Sequence, residues 1–176
     1  MSSMAKTYSI KKSQKIPLGI NAAWNFFSKP DNLKKIMPDN IRFISAPLEG
    51  SPIYVGQIIE YKMVTRFLVP IKWVTEIMEV DEKRFFIDEQ RKGPFKHWRH
   101  QHFFIEIPGG VIMTDIIQYK CPLGWASNLL NTLYFRRRLN QIYDYRAIQL
   151  VKLFGEYMEP KYHWGTRVNV ETGEAY

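Results

Sequence analysis

The chain has 176 residues, 45% hydrophobic and 15% aromatic, with one cysteine and a formal charge of +8. That is enough chain and apolar surface for one domain with a buried core, which excludes intrinsic disorder, and a lone thiol excludes a disulfide framework. The basic residues are scattered except for Arg136-Arg137-Arg138, and no RNP, zinc-finger or helix-turn-helix signature accompanies them, so nucleic acid is not an expected partner.

Thr7 to Ile16 reads as a first strand, ended by Pro17. Met1 to Ile16 contains no continuous apolar h-region, and no window approaches the roughly 20 uncharged apolar residues of a membrane span. The expected location is therefore cytoplasmic. Asn21 to Ser28 reads as a short helix with Asn21 as N-cap and Ala23, Trp24 and Phe27 on its buried side. Pro30 breaks it, and Asp31 caps a second short turn that runs to Ile36.

The period then changes from helical to two. Ile41 to Ser45 is a strand, followed by a loop marked by Pro47, Gly50 and Pro52. Gln57 to Arg66 alternates, with Ile59, Tyr61 and Met63 on one face. Val69-Pro70 turns the chain into a strand over Lys72 to Val80, both faces of which are apolar. After the polar turn Asp81-Glu82-Lys83 come Phe85 to Gln90, a break at Gly93-Pro94, and a long strand over His97 to Ile107. Pro108-Gly109-Gly110 is a tight hairpin into Val111 to Lys120.

From Trp125 to Phe154 there is neither proline nor glycine. Leu129, Leu133, Leu139, Ile142 or Tyr143, Leu150 and Leu153 recur at helical spacing, which predicts one long amphipathic helix with Gly155 as its C-cap. Cys121 is expected to be a small core residue. The order predicts an α+β domain over residues 1–155: a curved antiparallel sheet, two short helices, and a long C-terminal helix enclosing an apolar pocket. Residues 156–176 form a polar, irregular tail.

The sharpest local pattern is Trp98-x-His100-x-His102-x-Phe104. Alternate residues of a strand share a face, so two imidazoles look inward among aromatics while Arg99 and Gln101 face water. A two-residue turn at Gly109-Gly110 gives pairs summing to 219. His100 then faces Tyr119, and Asp115 is the diagonal neighbour of His102. Three uses are open for this patch. It is a self-satisfied structural network, or it orients the polar end of an apolar ligand, or it does chemistry. In the last case a His-Asp pair serves as general base or the two histidines with Asp115 hold a metal. Asp88 and Glu76 are further acids that can point inward. Arg146 falls near the helix stripe and either neutralises Asp88, Asp115 or a ligand carboxylate, or snorkels to water.

Several stretches together resemble the helix-grip superfamily of START domains, the birch-pollen-allergen fold, and the polyketide cyclase/dehydrase and coenzyme Q-binding proteins (SRPBCC). They are Ala23-Trp24-Asn25-Phe26-Phe27; Trp73-x-x-Glu76-Ile77; Phe86-x-Asp88-x-Gln90-x-x-Gly93-Pro94-Phe95; the histidine strand; Thr114-Asp115-x-x-x-Tyr119-x-x-Pro122; and Tyr145-Arg146. The likeness spans about residues 5–155 and is to a bacterial branch, some of whose members carry a cell-division-inhibitor label. It implies a cavity for lipids, sterols, polyketides or quinones, with cyclisation or dehydration in a minority.

The expected function is thus a non-catalytic binding or carrier domain for a small apolar molecule. Tyr61, Trp73, Trp98, Tyr119 and Leu133 form its pocket wall, and His100, His102 and Asp115 are its polar anchors. No cofactor and no metal are predicted. The alternatives are a cyclase- or dehydratase-like enzyme with His102-Asp115 as base, and an interaction protein using a basic helix surface. Any membrane contact is transient, and the oligomeric state stays open.

Overall fold

The structure, a computed structural model, describes residues 6–39, 41–45, 50–64, 70–122 and 127–160. Seven strands form one antiparallel sheet in the order β1-β7-β6-β5-β4-β3-β2. They are β1 (Thr7–Ile16), β2 (Ile41–Ser45), β3 (Ile58–Val64), β4 (Pro70–Asp81), β5 (Phe85–Lys92), β6 (His97–Ile107) and β7 (Gly110–Lys120). Because β1 and β2 occupy opposite edges, the chain between them must cross the sheet. It does so through α1 (Ile20–Phe27) and α2 (Pro30–Leu33).

Helix α1 buries the predicted Ala23, Trp24 and Phe27, but it starts one residue before Asn21, after Gly19, and no side chain caps it. Asn21 lies inside the first turn and is exposed. Pro30 does not only end α1. It opens α2 as an N-terminal proline, where its missing N–H costs nothing.

The β6–β7 turn differs from expectation in an instructive way. Ile107 pairs with Gly110, so the turn residues are Pro108 and Gly109, not Gly109 and Gly110. Proline presets the first position, and Gly109 takes the left-handed φ of 75° that the second requires. Gly110 is needed in the ladder instead. A Cβ there would sit 2.3 Å from the Ile16 carbonyl oxygen and 3.0 Å from the Tyr157 ring. Gly110→Ala is expected to destabilise the protein by about 1–3 kcal/mol or more, since backbone must move to relieve the clash. A urea midpoint equal to wild type would refute this.

One residue of turn displacement changes every β6–β7 pair by two positions, which keeps each side chain on its face. His102 is therefore directly opposite Asp115, His100 opposite Ile117, and Trp98 opposite Tyr119. The expected His100–Tyr119 pairing is corrected. At the other end of β6, the Gly93-Pro94 break is held by Gln90, whose amide donates to the Phe95 carbonyl at 2.7 Å. That clamp seats Phe95 in the core, 7% exposed.

The C-terminal helix is not one regular helix. It runs as α3 (Ser127–Leu130), a π-helical turn (Asn131–Phe135) and α4 (Arg136–Phe154). The π turn shifts the helical phase, so Leu129 and Leu133 are 64% and 66% exposed, while Asn131 is buried in their place. Downstream, α4 buries Leu139, Ile142, Tyr143, Arg146 and Leu150 against the sheet, and Gly155 caps it with φ 86°. Leu153, expected on the stripe, is half exposed. After the cap, Tyr157 donates a 2.8 Å hydrogen bond to the Pro108 carbonyl, and Glu159 pairs with Lys15. The expected turn at Val69, the helix start at Trp125, the facing of Met63 and Arg66, and the tail beyond residue 160 lie outside the described side chains.

Two apolar clusters make up the core. One joins Trp24, Phe27, Phe86, Phe104, Met113 and Leu150. The other joins Trp73, Phe95, Trp98, Tyr119, Leu139 and Tyr143. Along β6 the order Trp98, His100, His102, Phe104 runs from the second cluster to the first. The two histidines thus form a polar layer between them.

Candidate functional site

The inner face of the sheet and α4, with residues of α1 and α2, line a partly open cavity of about 110 Å3. This is well beyond the roughly 10–15 Å3 that a single water needs. Ile53, Ile59, Ile77 and Ile142 line its apolar part, and Asp88, His100, His102, Tyr143 and Arg146 make one polar corner.

Each polar group reaches the corner by strand alternation or helix phase. His100 and His102 are successive inward residues of β6 and are 8% and 5% exposed. Their rings lie 3.7 Å apart, centroid to centroid, and Phe86 stacks on His102 at 3.9 Å. Asp88 comes from β5, next to a bulge that shifts the β4–β5 register between Ile77 and Glu79. Its Oδ1 accepts from Thr75 at 2.8 Å. Tyr143 and Arg146 are one turn apart on α4, with the guanidinium 5.0 Å over the tyrosine ring.

The two aspartates and two histidines alternate. Asp88 Oδ2 is 3.1 Å from His102 Nε2 and 3.6 Å from His100 Nδ1. The other nitrogens, His102 Nδ1 and His100 Nε2, each lie 2.9 Å from Asp115 Oδ1. The His102 Nδ1 approach lacks the angle of a hydrogen bond, so it is a charge contact. His100 Nε2 is also 2.9 Å from the Tyr143 hydroxyl. Arg146 closes the set, 3.6 Å from Asp115 Oδ2.

Charge balance follows from these contacts. Burial would raise Asp115, but Arg146 and then the histidines outweigh it and hold its carboxyl well below the usual range. Burial likewise opposes ionisation of Asp88, and His102, His100 and Thr75 outweigh it. Burial would lower His102, yet the two aspartates raise it above an ordinary histidine. His100 is lowered, first by burial and then by His102. Opposite charges are thus paired across the corner, with His102 raised between two lowered carboxylates and Arg146 beside Asp115, as buried ionisable groups require.

Asp88 and Asp115 are depressed in the folded state, so the stability they contribute is present above the ordinary carboxylate range and is lost as pH falls through their folded values. The elevated His102 acts oppositely, its contribution fading as pH rises through its folded value. Urea midpoints measured from about pH 7 downward should therefore fall below about pH 4, and Asp115→Asn should flatten that acid limb. An acid limb as steep in the variant as in wild type would contradict the assignment.

Of the residues expected at the site, Tyr61, Trp73, Trp98, His100 and His102 line the cavity. Asp115 does not. It lies behind the histidines and faces a second, more polar cleft of about 260 Å3 lined also by Lys12, Gln14 and Arg146. Tyr119 sits off the cavity, opposite Trp98, and its hydroxyl donates to Asn131 at 2.6 Å. Leu133 is exposed and is no pocket wall, for the π-turn reason given above. Glu76 points outward to Arg91 at 2.6 Å. Arg146 does not snorkel and is 4% exposed. Wall residues outside the expected set include Ile59, Thr75, Ile77, Asp88, Ile142 and Tyr143, and a β-strand face or a helix phase was their signal. Cys121 is fully buried, as expected of a small core residue.

No family model matches the sequence, and no curated protein matches it. Solved structures do match. Protein Ms6760 from Mycobacterium smegmatis is 16% identical over 82% of this chain and 89% of its own, with a TM-score of 0.59. Major latex-like protein 151 from Panax ginseng is 13% identical over 84% of this chain and 97% of its own, at 0.61. The di-domain ARO/CYC protein StfQ of the steffimycin biosynthetic pathway is 13% identical over 85% of this chain but 50% of its own, at 0.66. Identities this low carry architecture and not chemistry. No helix among the described residues is long and apolar enough to cross a membrane. Sheet order, the α1–α2 crossing and these matches together establish that the chain has the helix-grip fold.

Proposed function

We propose that the protein is a binding or carrier domain for a small, mostly apolar molecule with one polar end. The observation that carries this reading is a cavity apolar over most of its wall and polar at one corner, the arrangement that gives affinity by burial and orientation by a few fixed groups. Two donors on wall residues, Trp73 Nε1 and Arg146 Nε, have no hydrogen-bond partner among the described protein groups. An acceptor on the ligand, such as a carbonyl, phenolate or carboxylate oxygen, would satisfy them.

The enzyme alternative with His102 as base is less well supported. Both His102 nitrogens lie within 3.1 Å of an aspartate oxygen, which holds its proton in place.

The test is occupancy of the cavity. Native mass spectrometry with solvent extraction identifies any co-purifying molecule, and 1-anilinonaphthalene-8-sulfonate reports the apolar space. Ile142→Trp, which fills the cavity from α4, is expected to abolish dye binding with the fold intact. His102→Ala should weaken it by less than about tenfold, near 1.4 kcal/mol. Dye affinity unchanged in Ile142→Trp would sink the reading.

A further inference from the structure

The apolar cavity accounts for the wall of the site but not for the alternation of two carboxylates and two imidazoles at its corner. We propose that Asp88, His100 and His102 form a binding site for a divalent first-row transition metal, with Asp115 as the carboxylate behind both imidazoles. The inference goes beyond the carrier reading and stands whichever molecule occupies the cavity.

Four observations converge. First, one ligand atom from each of Asp88, His100 and His102 lies within 4.8 Å of the others, and all three residues are buried. Second, the spacing has the right scale. Metal–ligand bonds of about 2.0–2.2 Å place neighbouring ligand atoms roughly 3.3–3.6 Å apart in a tetrahedral site and roughly 2.8–3.1 Å apart in an octahedral one. Asp88 Oδ2 is 3.1 Å from His102 Nε2 and 3.6 Å from His100 Nδ1.

Third, the remaining atoms supply the outer support that metal-bound histidines require. The far nitrogen of each ring lies 2.9 Å from Asp115 Oδ1. Thr75 fixes the free oxygen of Asp88 at 2.8 Å. A carboxylate behind a metal-bound histidine raises its basicity, and here it also fixes the His100 ring by a hydrogen bond while meeting His102 as a charge contact. Fourth, the layers are in the correct order. The three ligands line the cavity and Asp115 does not. A metal held there keeps its remaining coordination positions toward the cavity, where the polar end of an apolar ligand would meet it.

The donor set favours a class of ion. Two imidazoles and one carboxylate suit Zn2+, Fe2+ or Co2+ better than Mg2+ or Ca2+, which take oxygen ligands. The sequence expectation of no metal changes for one reason. On the sequence the only carboxylate tied to the histidine strand was Asp115, and here Asp115 stands behind both rings while Asp88 of β5 stands beside them.

The experiment uses the full chain, stripped with chelator and titrated with CoCl2 and ZnCl2. The expected result is one saturable equivalent, with Co2+ ligand-field absorption in the visible and no displacement by excess MgCl2. Asp88→Ala and His102→Ala should each abolish it. Asp115→Asn, a positioning change, should weaken affinity by about 10–100-fold. His97→Ala should leave it unchanged.

Wild-type protein that takes up no stoichiometric Co2+ or Zn2+ overturns the proposal. So does a Co2+ spectrum that survives both ligand substitutions. Should those variants not fold, Zn K-edge absorption on the wild-type complex decides. Two imidazoles without sulfur support the site, and any other donor set refutes it. Dye binding to the chelated protein is a separate reading, so failure of the metal site and failure of the cavity reading are distinguishable.

Discussion

Arg146→Met is expected to destabilise the protein by about 3–5 kcal/mol at neutral pH, the usual cost of stranding one member of a buried ion pair. Arg146 is 4% exposed and Asp115 7%, so solvent cannot take over the lost charge. The loss should depend on pH. With the guanidinium gone, Asp115 is left with the two imidazoles 2.9 Å away, and His100, which is held low, is the one that can gain a proton to replace the lost charge. Burial and His102 hold His100 low while Arg146 is present. Once Arg146 is removed, a proton on His100 repairs the balance only in acid, so the variant should lose less stability near about pH 5.5 than near about pH 8. Urea denaturation of wild type, Arg146→Met, Asp115→Asn and the double variant at both pH values checks this. The double variant should recover part of the summed loss, by about 0.5–3 kcal/mol of coupling. A pH-independent loss in Arg146→Met would mean the four groups do not share their charge as described.

Trp24→Ala is expected to cost a similar amount, about 3–5 kcal/mol, by a different route. The indole packs edge-on against Phe86 at 6.1 Å and Phe104 at 5.6 Å, and this contact fastens α1 to the sheet. No titratable group is lost, so the penalty should be the same at both pH values, and Trp24→Phe should restore part of it. The two variants together separate apolar packing from charge pairing in one protein. If Trp24→Ala instead tracks pH as Arg146→Met does, the clusters and the polar layer are not the distinct units described.

How far the sequence carries can be judged from particular elements. The strands β1, β2 and β6 have the bounds that alternation and flanking prolines predict, because period-two patterning is a local property. The inward facing of His100 and His102 follows from the same rule. Pairing partners were harder. Three adjacent turn formers, Pro108, Gly109 and Gly110, allow two hairpins, and the choice rests on the end of β1, where the Ile16 carbonyl leaves no room for a side chain at Gly110. That is a contact between residues 94 positions apart, invisible to a local pattern. Asp88 was ambiguous because the bulge beside it puts Phe86, Ile87 and Asp88 all in the interior, so alternation stops marking faces. Arg146 stayed open between pairing with Asp115 and reaching water because an arginine in a stripe usually reaches water, and only the tertiary position of Asp115 decides for the first. Leu133 failed because no residue type announces a π turn.

That π turn has a consequence for how the molecule can change. A turn of this kind is what a helix looks like after gaining one residue it cannot absorb. It uncouples the rotational setting of the segment before Asn131 from that of the segment after Phe135. Upstream, the setting is tied to the sheet by the Tyr119–Asn131 hydrogen bond, and downstream by Leu139, Tyr143 and Arg146. Removing one residue between 131 and 135 would let the two halves wind as a single α-helix with their relative setting nearly unchanged, because the π turn already absorbs the roughly 100° that one extra residue adds. The upstream half is held by the Tyr119–Asn131 and Tyr8–Asn128 hydrogen bonds, and the downstream half holds the guanidinium at the cavity. Loss of that one residue is therefore absorbed within the turn itself, and the polar corner keeps its place.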